Sequence, residues 1–364
     1  MSPADTLFSL NTTLRCSYYS IPHCSLKNLL LHLGIRLRPF EAFSASYRAD
    51  ALISVDLPHR RYELEHLIAQ KVKPDAPKIL IAMESFHDRP ELLSSDEISR
   101  WHHVFHYSTI VRNGSKVSKY ALPSNLPYLY RHGPFYGHAS LRLIGMMGTN
   151  KPSRLSNIRA WPQVINTRSY RISLSDSIKW WGLEDGLNLR RQWATGLAHL
   201  IPKDFRIFGG QWDGSSYSPA HRLIRPRPNP CAVGFSPCNP ISIIQGFQYF
   251  FATENLIGDS GYVTEKIFNV IRARRVPIYK PANDDKRLAS LSARVGRFFV
   301  DLREFNSAKA LVAYLKSVKI GEYQEMVASG HLFLKSEFAK EHSSRHYAEV
   351  LSKRISLVLR QKTV

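Results

Sequence analysis

The stretch Phe247–Tyr279, FQYFFATENLIGDSGYVTEKIFNVIRARRVPIY, constrains this chain more than any other. Phe247, Tyr249 and Phe251 alternate with Gln248, Phe250 and Ala252, which suits a largely buried strand. Glu254-Asn255 ends the run, and Leu256 to Gly261, with Gly258 and Gly261, has the composition of a tight loop. From Tyr262 the period changes. Val263, Ile267, Val270 and Ile271 fall on one side of a helix, and Tyr262, Glu265 and Lys266 fall on the other within the first turn. Arg272, Arg274 and Arg275 crowd its C-terminal end, where cations complement the helix dipole. Val276-Pro277-Ile278-Tyr279 then predicts a short strand.

A β-loop-α-β unit of this kind predicts an open α/β sheet with a ligand cleft at the strands' carboxyl edge, where unpaired N–H groups of a helix start attract phosphate. Glu265 is out of place beside an anion. It suits sugar hydroxyls better, with Lys266 taking the phosphate charge. The same spacing also fits a surface helix whose first turn simply carries a Glu-Lys pair.

The order Glu254-Asn255, Gly261-Tyr262-Val263-Thr264-Glu265-Lys266-Ile267, Val276-Pro277-Ile278-Tyr279 resembles the signature of the α-1,3/4-fucosyltransferases, glycosyltransferase family 10. That family has an acidic-Asn pair, a Tyr-x-Thr-Glu-Lys helix start and a Val-Pro-apolar-Tyr strand. This chain departs from the pattern at Thr253, where the family usually has an aromatic or apolar residue, and in a slightly longer Asn-to-Tyr loop. The resemblance implies an α/β fold of the GT-B type, two Rossmann-like domains facing across a cleft. It implies acceptor binding by the first domain and GDP-fucose binding by the second. Inverting transfer of L-fucose to a glycan hydroxyl, O3 of GlcNAc or Glc, is the implied reaction, with no cofactor and no catalytic metal.

At 364 residues the chain has room for two domains of ordinary size, and 44% hydrophobic content argues for filled cores. The formal net charge of +21 favours an anionic partner: a nucleotide-sugar, an anionic membrane surface or nucleic acid. Against nucleic acid, the aromatics sit in apolar runs instead of alternating with Lys and Arg on a strand platform. No stretch reaches the ~18 apolar residues of a membrane span, and MSPADTLFSL lacks the basic start and apolar core of a signal peptide. That combination points to a cytoplasmic protein or one peripheral on the cytoplasmic membrane face if bacterial. A truncated eukaryotic, Golgi-lumenal form would read the same way. Cys16, Cys24, Cys231 and Cys238 show no CxxC spacing and read as ordinary thiols; a Cys231–Cys238 disulfide fits only a secreted chain.

Along the chain, Ala51 to Val55 and Lys78 to Ala82 suit strands, and Tyr62 to Val72 suits a helix. The second of those strands runs into Glu84. A carboxylate there is placed to face a cleft, and it equally suits a residue that turns the chain into the polar loop beyond. By resemblance Glu84 is the catalytic base. WHHVFHYST, from Trp101 to Thr109, suits a strand or turn, and its histidines lack metal-ligand spacing. Prolines between Leu122 and Pro134 mark a boundary, giving domains at 1–134 and 135–335 and a basic tail at 336–364. That tail suits packing on the first domain or binding a membrane surface. Leu141 to Met147 suits a strand, and the Gly148-Thr149-Asn150-Lys151 turn after it resembles the family's Ser-Asn turn, which makes Asn150 a donor-site residue. Residues 152–185 and the proline-rich 219–240 take no regular element. Leu189 to Ile201 has helical spacing. By resemblance Arg190 reaches the donor diphosphate, with Arg191 the neighbouring contender and a solvated surface arginine the simpler reading. Asn255, Tyr262, Glu265 and Lys266 complete the implied donor site.

Overall fold

The computed structural model describes residues 17–38, 48–56, 61–84, 92, 95–109, 111, 115–124, 141–148, 183–212, 229–233, 240–283 and 285–361. The chain divides into two compact units, Met1–Tyr130 with Lys340–Val364, and Arg131–Ala339. No described helix is long and apolar enough to cross a membrane.

The first unit is built on four parallel strands in the order β1-β2-β3-β4: Leu52–Val55, Lys78–Ala82, His103–His106 and Val117–Lys119. Ile79, Leu80, Ile81 and Ala82 are all fully buried, so β2 is covered on both faces, as its unbroken apolar run requires. Helices α1 (Ser17–His32) and α2 (Arg61–Lys71) belong to this unit. So does the C-terminal helix Ser344–Arg360, which packs against α1 with the His23 and Tyr347 rings edge-on at 5.9 Å. The basic C-terminal stretch thus buries an apolar stripe of Tyr347, Ala348, Leu351 and Ile355 in the first unit. Ser124 N and Oγ both donate to His342 O, at 2.7 and 2.8 Å, fastening the returning chain to the segment after β4.

The second unit holds five parallel strands, β5 (Arg142–Met147), β7 (Phe205–Phe208), β8 (Phe247–Phe251), β10 (Val276–Tyr279) and β11 (Val300–Asp301). Across the sheet they run β7-β5-β8-β10-β11, second-first-third-fourth-fifth in chain order. That is a doubly wound sheet whose direction of winding reverses between β5 and β8, and ligands of such sheets lie beyond the carboxyl ends at that point. Helix α3 (Gly186–Leu200) lies between β5 and β7 in the chain, and α4 (Glu265–Arg272) links β8 to β10. Tyr249 and Phe251 of β8 join a core with Ile144, Met146, Trp193 and Leu197. Phe250 packs instead with Phe247 over Gly145, where a Cβ would lie 2.4 Å from the Phe250 ring. Glycine in the middle of β5 is therefore a packing requirement. Helices α5 (Lys286–Val295), α6 (Ala308–Ser317) and α7 (Ile320–Leu334) complete the unit.

Three local expectations change. Leu256–Ile257, expected in a loop, is a short strand β9, antiparallel to β6 (Glu184–Asp185), the end of the stretch given no element. Two-residue strands carry no periodicity, so only the tertiary partner makes them visible. Helix α3 begins at Gly186, which places Arg190 a full turn inside it. Helix α4 begins at Glu265, so Tyr262 and Val263 precede it. Both are buried, because Asp259 folds the loop inward, accepting from Gly261 N at 3.0 Å on Oδ1 and from Tyr262 N at 2.9 Å on its carbonyl.

Candidate functional site

The carboxyl ends of β5 and β8 are where the sheet's winding reverses, and the polar groups of the second unit gather there. Beyond β8 the chain continues Ala252-Thr253-Glu254-Asn255, all buried except the half-buried Asn255. Gly186 N donates to Asn255 O at 3.0 Å, and a Cβ on Gly186 would lie 1.9 Å from Glu254 O. Helix α3 thus starts in contact with this loop, which no other residue type would allow. Asp185 caps α3 by accepting from Leu187 N and Asn188 N at 3.0 Å each.

One turn on, Arg190 is 3% exposed, and its Nη2 donates to Thr253 O at 2.9 Å and to Asn255 Oδ1 at 3.1 Å. Arg191, its neighbour, is half-buried. Nη1 of Arg190 lies over Gly148, directly after β5; a Cβ there would come within 2.5 Å of it, and Gly148 adopts φ +153°. Among the described residues only Nη2 makes hydrogen bonds, which leaves the rest of the guanidinium fork for a ligand. Burial lowers the Arg190 pKa, opposed by the charges of Glu254, Asp185 and Glu265, and a guanidinium remains charged under such conditions.

Glu254, 2% exposed, is the hub of the second cluster. Its Oε1 accepts from Thr264 N at 2.8 Å, and its Oε2 accepts from Thr264 Oγ1 at 2.7 Å and Lys266 Nζ at 2.9 Å. Lys266 also donates to Thr264 Oγ1 at 2.9 Å. The carboxylate satisfies an N–H at the start of α4, where the nominal cap residue Thr264 makes no side-chain cap of its own. Burial acts to lower the Lys266 pKa, but Glu254 and then Glu265 outweigh it and hold it above the ordinary lysine value. Lys266 is therefore a fixed cation. The half-buried Glu265 opens α4 beside it.

Of the residues singled out in the sequence, Arg190, Asn255, Lys266 and Glu265 come together here, and Tyr262 is present as a buried ring just ahead of α4. Asn150 lies outside the described residues; Gly148, two residues earlier, is at the site. Glu254 and Thr264 entered the sequence reading only within the family signature and Gly148 only within its turn, none with a site role of its own, and Gly186 did not enter it. The one usable signal was Glu254, an acid ending a buried strand in the same way as Glu84.

Glu84 belongs to the first unit, two residues beyond β2, with an exposed side chain. Its N–H donates to Asp56 Oδ1 at 2.8 Å and its carbonyl accepts from Tyr107 Oη at 2.8 Å. In the neighbouring strand β3, burial lowers the His103 pKa to about 4 and that of His106 to about 3, so both are neutral at pH 7. Among the described residues no group of three His, Cys, Asp or Glu is placed to hold a metal. Cys231 is a buried thiol that donates to Pro202 O at 3.6 Å; Cys16 and Cys238 lie outside the described residues.

Residues 235–327 match the sequence profile described as glycosyltransferase family 10 (fucosyltransferase), C-term, so the resemblance read in the sequence holds over that stretch. No curated protein matches the chain. Among solved structures, a crystal structure of an α1,3-fucosyltransferase aligns over 93% of this chain and 86% of its own at 12% identity, TM-score 0.48. A DNA-modifying β-glucosyltransferase aligns over 97% and 96% at 13% identity, TM-score 0.50. An α-glucosyltransferase solved with UDP and a 13-mer DNA aligns over 94% and 96% at 12% identity, TM-score 0.52. The fold is the α/β, parallel-sheet build of GT-B glycosyltransferases.

Proposed function

We propose that this chain is a fucosyltransferase of glycosyltransferase family 10 that binds GDP-fucose on its second unit and transfers L-fucose, with inversion, to a glycan hydroxyl. The observation that carries the reading is the gathering of a buried arginine, a fixed lysine and a helix start where the sheet's winding reverses, the lysine and the helix start lying inside the stretch that matches the family.

The chemistry follows from those groups. The acceptor hydroxyl, O3 of GlcNAc or Glc, attacks fucose C1 as the bond from C1 to the β-phosphate oxygen breaks. The hydroxyl proton passes to Glu84, and GDP departs with the bonding pair. Arg190 and Lys266 stabilise the charge growing on the diphosphate. Donors placed in this way are worth about 3–4 kcal/mol in a transition state. They replace the metal that other transferases use at this step. Asn255, Tyr262 and Glu265 hold the ribose, phosphate or fucose hydroxyls, and the family resemblance adds Asn150 to the donor-site residues. A net charge of +21 suits work against an anionic membrane surface or acceptor.

The test is calorimetric titration with GDP-fucose, GDP-mannose and UDP-galactose in magnesium-free buffer containing EDTA. Selective binding of GDP-fucose is expected. Binding of another donor alone overturns the named sugar and leaves a GT-B transferase of different donor. Binding of none, together with salt-sensitive retention of DNA, favours a basic nucleic-acid-binding protein. Glu84→Gln is expected to keep GDP binding and lose turnover of GDP-fucose with N-acetyllactosamine; retained turnover removes Glu84 from the base role.

A further inference from the structure

The segment that carries Glu84 is held in an unusual way. Beyond β2 the sheet ladder ends, yet the main-chain polar groups of residues 82 to 84 find partners in side chains from the ends of three other segments. Tyr120 Oη donates to Ala82 O at 2.6 Å. Asp56 Oδ1 accepts from both Met83 N, at 2.6 Å, and Glu84 N, at 2.8 Å. Tyr107 Oη donates to Glu84 O at 2.8 Å. A loop of this kind ordinarily takes its hydrogen bonds from water. Here two consecutive N–H groups end on one carboxylate oxygen, and such charge-assisted bonds are about twice as strong as neutral ones.

Asp56 is itself specially placed. It follows β1 directly, its N–H donates to Ile81 O at 2.9 Å, and its backbone sits in the left-handed region at φ +60°. Ser54 Oγ donates to Asp56 O at 2.8 Å and supports that turn. Aspartate enters this region more readily than most residues, though still at some cost. The conformation turns the Asp56 carboxylate across the strand ends onto the chain leading to Glu84. The peptide units on either side of the Glu84 Cα are therefore pinned, one by Asp56 and one by Tyr107, while its side chain stays exposed.

We propose that Asp56 and Tyr107 are positioning residues that fix the main chain of Glu84, so that its carboxylate pivots from one set origin when it takes the acceptor proton. This rests on the base role proposed above for Glu84. A general base must come within ~3 Å of the proton it removes, and a displacement of about 1 Å can cost about 100-fold in rate. A clamp on the main chain, at the Glu84 N–H and at its carbonyl, meets that demand. Neither residue touches substrate in this scheme.

The test compares Asp56→Gly, Asp56→Asn, Tyr107→Phe and Glu84→Gln with the wild-type chain. Glycine keeps the left-handed backbone and removes the acceptor, whereas asparagine suits the same backbone and keeps an Oδ1 acceptor. Two readouts are taken: amide hydrogen exchange at Met83 and Glu84, and GDP release from GDP-fucose in the presence of N-acetyllactosamine. In Asp56→Gly the two amides are expected to exchange at least about 10-fold faster. Its kcat is expected to fall about 10- to 100-fold, with KM for GDP-fucose unchanged because the donor groups lie on the other unit. Asp56→Asn is expected to restore both readouts to near wild type, and Tyr107→Phe to lower kcat by a smaller factor. Wild-type exchange and kcat in both Asp56→Gly and Tyr107→Phe, with Glu84→Gln inactive, overturn the clamp and leave the base. Full turnover in Glu84→Gln, or no GDP release by the wild type, overturns the base reading and the clamp's catalytic role with it.

Discussion

Glu254 shows how one residue can join stability to function. It is buried, and it meets Lys266, Thr264 Oγ1 and an N–H at the start of α4 together. Removing one partner of a buried pair leaves the other uncompensated, at a cost of about 3–5 kcal/mol. Glu254→Ala is therefore expected to lose that much stability in urea unfolding and to bind GDP weakly. Glu254→Gln keeps an acceptor for the α4 N–H and loses less. The pH dependence has a definite sign. With its pKa raised in the folded chain, Lys266 contributes fully below the ordinary lysine value of about 10.4, and that contribution fades as pH rises through the folded value. Stability of the wild type should fall there more steeply than that of Glu254→Gln.

At the scale of elements, two glycines let helix, strand and loop meet. Gly186 at the start of α3 leaves no room for a Cβ against Glu254 O, a backbone atom that cannot swing aside. Gly186→Ala is expected to displace the loop that holds Arg190, costing about 1–3 kcal/mol or more in stability along with GDP affinity. Gly148→Ala meets the movable end of Arg190 instead, at a backbone of φ +153°. Its effect should fall more heavily on GDP binding than on urea stability, since the guanidinium is pushed off its place after β5. Titration calorimetry and urea unfolding on the two variants read this contrast. In the sequence Gly148 appeared only as part of a turn and Gly186 not at all. Gly186 directly follows a stretch that carried no element, and its partner Glu254 is 68 residues away, so no local pattern marks the contact.

At the scale of the whole molecule, the first unit buries three neutral histidines. Burial lowers His23 and His103 to about 4 and His106 to about 3, with Arg354 adding to the effect at His103 and Lys119 at His106. Unfolding returns each to an ordinary value of about 6.5, so the unfolded chain binds more protons between those limits. Their contribution is complete above about pH 6.5. It declines on acidification towards the folded values, by at most about 1.4 kcal/mol per pH unit for each group. The urea midpoint of the first unit is thus expected to drop between pH 7 and pH 5, and His106→Gln, if folded, to flatten the slope. A midpoint independent of pH over that range would contradict the burial of these rings as neutral groups.

Much of the second unit was legible in the sequence because its signals are local. The buried strand at Phe247, the amphipathic turns after Glu265, the Val-Pro-Ile-Tyr strand and the helix around Trp193 each declare themselves by residue period, and their order marks the ligand edge of the sheet. Even there the first turn of α4 was set too early, since the inward fold of Tyr262 depends on Asp259 and on burial. What only the tertiary structure decided is which groups meet. Arg190 meets Thr253 and Asn255, 63 and 65 residues away, and Lys266 is fixed by Glu254 across the loop. The clamp on Glu84 needs Asp56 from another strand and Tyr107 from a third. Periodicity reports which side of its own element a residue occupies. Hydrogen bonds between strand ends depend on the register and order of parallel strands, which the chain acquires only when distant segments pair.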